Sequence, residues 1–342
     1  MKFAHISDCH LSESLDVDYT ISDKIREEIW KSFEDILCDI KNTDFLLISG
    51  DLFEKNYFTK KNYDRLFSDI KRYGKDVYYV NGNHDPLDDM TKFFFKEKPS
   101  NLHLFPTDII DFYEFKDTRI YGISYDDRIF NKRFNYNISL NHDYNNILLV
   151  HADVLSDDSN YFNIDINRLR NMGFDYVAMG HIHKMMDFKD NIYYAGSIEP
   201  RSFKDIGKYG YILVDDFKID YINSQKIEFK ELNLEVNENT DIYEEIESQI
   251  EDRMNYLRIH FYVDRGVEFE FDKKNLLSNN NIQYINYDIN YKKDYEYEDL
   301  TRLYPNTILS EFINELENVS DSDIKKLALE YGVDAIFRSA DE

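Results

Sequence analysis

A layered α/β fold is predicted for the N-terminal part of this chain by three features. Short continuous apolar runs such as Phe45-Leu46-Leu47-Ile48 have the make-up of strands covered on both faces. Between them lie segments whose apolar residues recur at the helical period. Polar groups gather just past the runs, where open α/β sheets form their ligand sites.

The elements follow in order. Phe3 to Ser7 reads as a buried strand. Ser22 to Ile40 reads as a helix, with Ile25, Ile29, Phe33, Ile36, Leu37 and Ile40 on one face and Ser22 as its N-cap. Phe45 to Ile48 is a strand. Tyr63, Leu66, Phe67, Ile70 and Tyr73 mark a helix that Gly74 stops. Val77 to Val80, Arg119 to Ile123, Ile147 to Val150 and Tyr176 to Met179 repeat the strand pattern, with a short helix through Ile166 and Leu169 before the last. Strands alternating with helices place helices over a sheet. Ile192 to Tyr194, Tyr209 to Val214 and Phe217 to Ile222 are expected to continue that sheet antiparallel. Near residue 235 the composition turns Glu- and Asn-rich, so the domains expected are 1–235 and 236–342. The second holds a helix from Ile242, a strand near Leu257 to Val263, and helices at Ile308 to Leu316 and Ile324 to Tyr331.

Composition narrows the function. The chain of 342 residues is 42% hydrophobic and 32% charged, a globular profile that excludes a disordered one. Its net charge of -26 lacks the basic footprint of a free-standing nucleic-acid binder, so such a substrate would need a local patch, bound metals or a basic partner. Two cysteines, Cys9 and Cys38, give no disulfide framework and fit a reducing compartment. No signal-peptide pattern and no membrane-length apolar run are read, so a cytoplasmic location without membrane contact is expected.

The chemistry-bearing residues follow the predicted strands: Asp8-Cys9-His10, Gly50-Asp51, Gly82-Asn83-His84-Asp85, His151, and Gly180-His181-Ile182-His183. Singly, each reads as a cap or a turn. Together they place five of the nine histidines at strand ends, and Asp and His ligate divalent metals. In Asp8-x-His10 and His181-x-His183, extended backbone sends both side chains the same way. The two oxygens of Asp51 could bridge metals about 3.5–4 Å apart. Cys9, between two ligands, should point into the core, and His5 reads as a packed histidine.

This motif series resembles the calcineurin-like metallophosphoesterase superfamily; Phe3 to Leu11, Gly50 to Phe53 and Tyr194 to Ser197 resemble its SbcD-type DNA repair exonucleases, and Gly82 to Pro86 resembles the YhaO-like branch of that group. The resemblance implies a four-layer α/β/β/α sandwich with a smaller C-terminal α+β capping domain. It implies that Asp8, His10 and His183 hold one metal, that Asn83, His151 and His181 hold another, and that Asp51 bridges them. His84 would face the scissile phosphate, oriented by a hydrogen bond to Asp85. The cofactor would be two divalent ions, manganese first, with zinc or iron as alternatives. The activity would be a DNA exonuclease in repair, with an SMC-like ATPase partner of the SbcC or YhaN kind, and a homodimer is admitted. Two alternatives stand beside it: a phosphodiesterase or phosphatase on small phosphoesters, and a non-catalytic scaffold, against which the complete motif set argues. Arg201, Lys204 and Lys208, and Arg128, Lys132 and Arg133, are basic clusters that could meet a phosphate backbone.

Overall fold

The computed structural model describes residues 1–13, 19–130, 132–155, 161–205, 207–264, 266–292 and 297–340. The chain runs β1 (Lys2–Ile6), α1 (Tyr19–Asp39), β2 (Phe45–Ile48), α2 (Lys60–Tyr73), β3 (Asp76–Tyr79), α3 (Asp89–Phe95) and β4 (Leu102–Leu104). It continues with β5 (Asp111–Phe115), β6 (Thr118–Ile123), β7 (Asn145–His151), α4 (Ile166–Arg170), β8 (Tyr176–Gly180), β9 (Met186–Asp187), β10 (Ile192–Tyr194), β11 (Gly210–Asp215) and β12 (Lys218–Asn223).

Two six-stranded sheets result, ordered β12-β11-β1-β2-β3-β4 and β5-β6-β7-β8-β10-β9. Strands β1 to β4 are mutually parallel, and so are β6, β7, β8 and β10. Strand alternation sorts the side chains into layers. Phe3, Phe45, Leu47, Tyr78 and Val80 of the first sheet pack against Ile120, Ile147, Leu149 and Tyr176 of the second, with Phe3 and Phe45 stacked at 5.0 Å. On the outer face of the first sheet, Ala4, Ile6, Leu46, Ile48 and Val77 meet the buried stripes of α1 and α2. Each large side chain buried there contributes about 1.5–3 kcal/mol. The mixed α/β fold expected from the sequence is therefore the one formed.

Details differ. The helix predicted from Ser22 starts at Tyr19, so Ser22 lies buried inside it rather than capping it. The helix predicted around Tyr63 starts at Lys60, capped by a Thr59–Asn62 box, and ends at Gly74, whose φ of 74° suits a residue without Cβ. Strand β10 was expected antiparallel but pairs parallel with β8, and β11 enters the other sheet, antiparallel to β1. Over the second sheet the described helical layer is thin: α4 contributes Leu169, and irregular segments supply Phe130, Phe134, Phe162 and Ile164.

Further on come β13 (Ile227–Val236), α5 (Ile242–Glu247), β14 (Met254–Val263), α6 (Lys273–Leu277), β15 (Ile282–Tyr291), α7 (Tyr297–Leu303), α8 (Ile308–Glu317) and α9 (Ser322–Ala340). The three strands form a sheet in the order β13-β14-β15. The chain divides into two compact units. The first is Met1–Glu231 with Ile250–Arg258 and Lys274–Ile285; the second is Leu232–Gln249, Ile259–Lys273 and Asn286–Glu342. In the second, Leu300, Leu309, Ile313, Leu329 and Val333 make a small helical core. No helix among the described residues is long and apolar enough to cross a membrane.

Candidate metal centre

Parallel pairing does not stop where β1 and β2 end. The backbone N–H groups of Asp8, His10 and Leu11 donate to the carbonyls of Gly50, Asp51 and Leu52 at 3.1, 3.0 and 3.0 Å. The two loops are thus held in register, and Asp8 and His10 stand beside Asp51. The β3 loop is tied to the same place: the His84 N–H donates to Asp51 Oδ1 at 2.8 Å, and the Lys55 N–H donates to the His84 carbonyl at 3.1 Å. Both sheets contribute, because His151 closes β7 and His181 and His183 follow β8.

The backbone is strained at this rim. Asp8, His10, Asp51 and His181 have φ of 49°, 44°, 49° and 109°. Each residue with Cβ held there costs on the order of 1–3 kcal/mol, a cost that clusters at functional sites. Gly82 passes so close that a Cβ would overlap the Asp51 carboxylate.

The ligand atoms of Asp8, His10 and His183 lie within 4.8 Å of one another, as do those of Asp8, Asp51 and His151, and of His10, Asp51 and His84. His10 Nε2 is 3.3 Å from His183 Nε2 and 3.8 Å from Asp51 Oδ2. His151 Nε2 is 3.3 Å from Asp51 Oδ2 and 3.0 Å from Asn83 Oδ1. Asp51 therefore sits between His10 on one side and His151 on the other. His151 Nδ1 donates to the Ser49 carbonyl at 2.9 Å, which leaves Nε2 to face Asp51. His181 is in none of these groups but lies beside one of its expected fellows. Its ring packs on His151 at 5.3 Å and on Tyr161 at 4.6 Å, and its N–H lies 3.2 Å from both oxygens of Asp8.

The electrostatics ask for cations. Burial, with Asp51 adding to it, pushes the Asp8 carboxyl up to about 6. Burial also acts on Asp51, but His151, His10 and His84 together hold its carboxyl well below the usual range. Burial would lower His151, yet Asp51 and Asp8 outweigh it and raise the imidazole to about 9. Burial and then Arg201 drive His10 down and His183 down to about 3, and burial lowers His181 to about 4. Neutral imidazoles facing a carboxylate pair are the donor set of a divalent transition metal. The buried His10 Nδ1 has no partner among the described residues. These residues fit a pair of divalent cations.

Asp85 does something other than expected. Its carboxylate accepts from the N–H groups of Leu52 (2.6 Å) and Gly82 (2.6 Å) and from the Tyr79 hydroxyl, so it knits the loops together. The partner of His84 Nδ1 is Glu54 Oε2 instead. Burial would lower His84, but the bond to Glu54 prevails and raises it. Glu54 went unread in the sequence, although it stands three residues past Asp51. Glu13 was missed too: it forms a candidate ligand group with His10 and Glu54 and pairs with Arg201. Cys9 is buried and free, and His5 is packed between Ser49 at 2.8 Å and Tyr176 at 3.0 Å. Of the basic clusters, Lys132 pairs with Asp126 at 2.6 Å. The acidic pair Asp157-Asp158, whose sequence suits a solvated loop, lies outside the described residues.

Compared with known proteins, residues 1–185 match the family model described as calcineurin-like phosphoesterase. A comparison with curated proteins finds no match. Among solved structures, the chain is similar to a dimetal phosphatase from Danio rerio at 11% identity and a TM-score of 0.38, over 62% of this chain and 91% of that one.

Proposed function

The chain belongs to the calcineurin-like phosphoesterase family, and from that premise we propose that it is a metal-dependent phosphodiesterase that cleaves DNA in repair, as an exonuclease. The observation that carries the reading is Asp51 standing between His10 and His151, with the His84 ring beside them and held from behind by Glu54.

On this reading Asp8, His10 and His183 hold one cation, His151, Asn83 and His181 hold the second, and Asp51 serves both. Two divalent cations bound there, manganese foremost, supply Lewis acidity at the phosphate and activate water for attack near neutral pH. The protein's own contribution is positioning and proton supply. Glu54 accepts from His84 Nδ1, which turns Nε2 outward and favours the charged form of the ring. His84 then donates a hydrogen bond to a phosphate oxygen or a proton to the departing oxygen, worth about 10²–10⁴-fold. Asp85 fixes the loop that carries His84. Residues 236–342 form the capping domain, the location is cytoplasmic, and an SMC-like ATPase brings this acidic chain to DNA.

The charge of -26 favours a second reading, a phosphodiesterase or phosphatase on nucleotides or other small phosphoesters. The two separate in one assay. Manganese-loaded protein is given a DNA oligonucleotide, a cyclic nucleotide and an aryl phosphodiester, with and without an SMC-like ATPase. Cleavage of the oligonucleotide, enhanced by the ATPase, is expected. Turnover of the small diesters alone would transfer the assignment to the second reading.

A further inference from the structure

Arg201 lies in the loop after β10, 18 residues beyond His183, yet its guanidinium reaches the metal centre. Nη2 is 2.8 Å from His183 Nδ1 and 3.2 Å from Nε2. Nη1 pairs with Glu13. Nε is buried without a partner among the described residues. The main chain is pinned as well, the Arg201 N–H donating to Asp205 at 2.9 Å. The side chain is only 15% exposed.

A guanidinium has five N–H donors, no lone pair, and a charge at every working pH. It cannot ligate a cation. The one lone pair of a neutral imidazole cannot serve both a cation and Nη2. Fixed positive charge is thus placed against a ligand of a cation site, with one carboxylate partner and donors to spare. What satisfies that excess is an anion with several acceptor oxygens, and the planar fork of Arg matches a phosphate.

We propose that Arg201, held by Glu13, binds a non-bridging oxygen of the substrate phosphate at the His183 edge of the centre. Arg201 then helps set the affinity for phosphate esters and for the phosphate released. Glu13 is a positioning residue that keeps the fork aimed and offsets its charge between turnovers. This inference rests on the phosphoesterase reading of the same site.

The test uses the full chain loaded with manganese, as wild type, Arg201→Gln and Arg201→Lys. Three quantities are measured: metal per chain by elemental analysis, binding of inorganic phosphate by calorimetry, and kcat and KM on an aryl phosphodiester. Both variants are expected to keep the wild-type metal content. Phosphate binding should weaken by about 10–100-fold in Arg201→Gln, as for the loss of a charge-assisted bond, and by less in Arg201→Lys, which keeps the charge without the fork. KM should rise more than kcat falls. Should Arg201→Gln not fold, the Arg201→Lys affinity decides. Equal phosphate affinity in wild type and variant would overturn the proposal, and so would loss of metal from the variants, which would make Arg201 a support for His183. Phosphate binding that depends on Arg201, in a protein that hydrolyses no diester, would leave this assignment standing and remove the hydrolase reading.

Discussion

Two buried sets of acids in the first unit are treated in opposite ways. Glu199, 2% exposed, is surrounded by donors: Ser32 Oγ at 2.6 Å, the Lys226 N–H at 2.9 Å and the Ile227 N–H at 3.0 Å. Its backbone is unstrained among the described residues. Asp8 and Asp51, 1% and 2% exposed, sit on left-handed backbone and face each other across imidazoles, two of which are held neutral. A carboxylate buried to hold a fold is given donors that offset part of the cost of its burial. The rim acids instead gather like charge that a cation would neutralise. Asp85 shows that the rule follows chemistry and not location: it sits in the same loops, accepts from Leu52, Gly82 and Tyr79, and belongs with Glu199.

The hardest blow to that contrast would fall on Asp51. Asp51→Asn removes a charge that faces both His10 and His151. Metal content should drop below two per chain, and turnover should fall by at least about 10³-fold, as for loss of a principal electrostatic element. Retention of both metals at full stoichiometry would put Asp51 in the structural set.

His84→Ala comes next. On the proposed reading it takes away the proton donor and leaves the ligands, so metal content should stay while kcat falls about 10²–10⁴-fold. A rate near wild type would remove His84 from the chemistry.

Glu199 tests the other side. Burial lifts its carboxyl to about 7, its hydrogen bonds from Ser32, Ile227 and Lys226 opposing without cancelling. The folded value lies above the ordinary 4.5, so the associated stability is fully present below pH 4.5 and is lost as pH rises through about 7. The whole excursion is worth about 3 kcal/mol. Glu199→Gln lacks that titration. The Tm advantage of wild type over the variant should therefore narrow between pH 5 and pH 8, while manganese content is unchanged. A gap constant with pH would show that the acid stays ionised throughout.

The sequence made the rim legible because each rim residue follows an apolar run: Asp8 after Phe3 to Ser7, Asp51 after Phe45 to Ile48, His151 after Ile147 to Val150. Such runs mark buried parallel strands, and parallel strands share their carboxyl edge. Glu54 was illegible because an acid on a loop looks solvated until the loop is folded. Arg201 was legible only as one basic residue among several; its pairing with Glu13 spans 188 positions, and no local pattern encodes that. The bond expected from His84 to Asp85 failed on the same ground, since the tight 82–85 turn directs the carboxylate inward to Gly82 and Leu52. Strand direction at Ile192 to Tyr194 was hidden because three apolar residues look alike in either orientation.

The smallest effect lies where the two sets meet. Glu54 behaves neither as Glu199 does, with donors all around, nor as Asp51 does, as the proposed shared ligand. One oxygen accepts from His84 Nδ1 and the other from Asn56 Nδ2 at 3.3 Å. Burial alone would lower the His84 pKa; the bond to Glu54 and the nearby charge of Asp51 raise it. Any stability from the Glu54–His84 pair is therefore present below the ordinary histidine value of 6.5 and is lost as pH climbs past the raised one. The charged form of the ring, proposed to donate to the phosphate, follows the same course. Glu54→Gln keeps the shape and an acceptor oxygen but removes the charge, so burial regains control of the ring. Turnover near neutral pH should fall by about tenfold, the low end of what loss of an orienting partner costs. More tellingly, the alkaline limb of the kcat/KM profile should move to lower pH, while the profile of Glu199→Gln should coincide with that of wild type. If the limb stays in place in Glu54→Gln, His84 owes its charge to the metals' surroundings and not to Glu54, and Glu54 joins the acids that merely hold the loop.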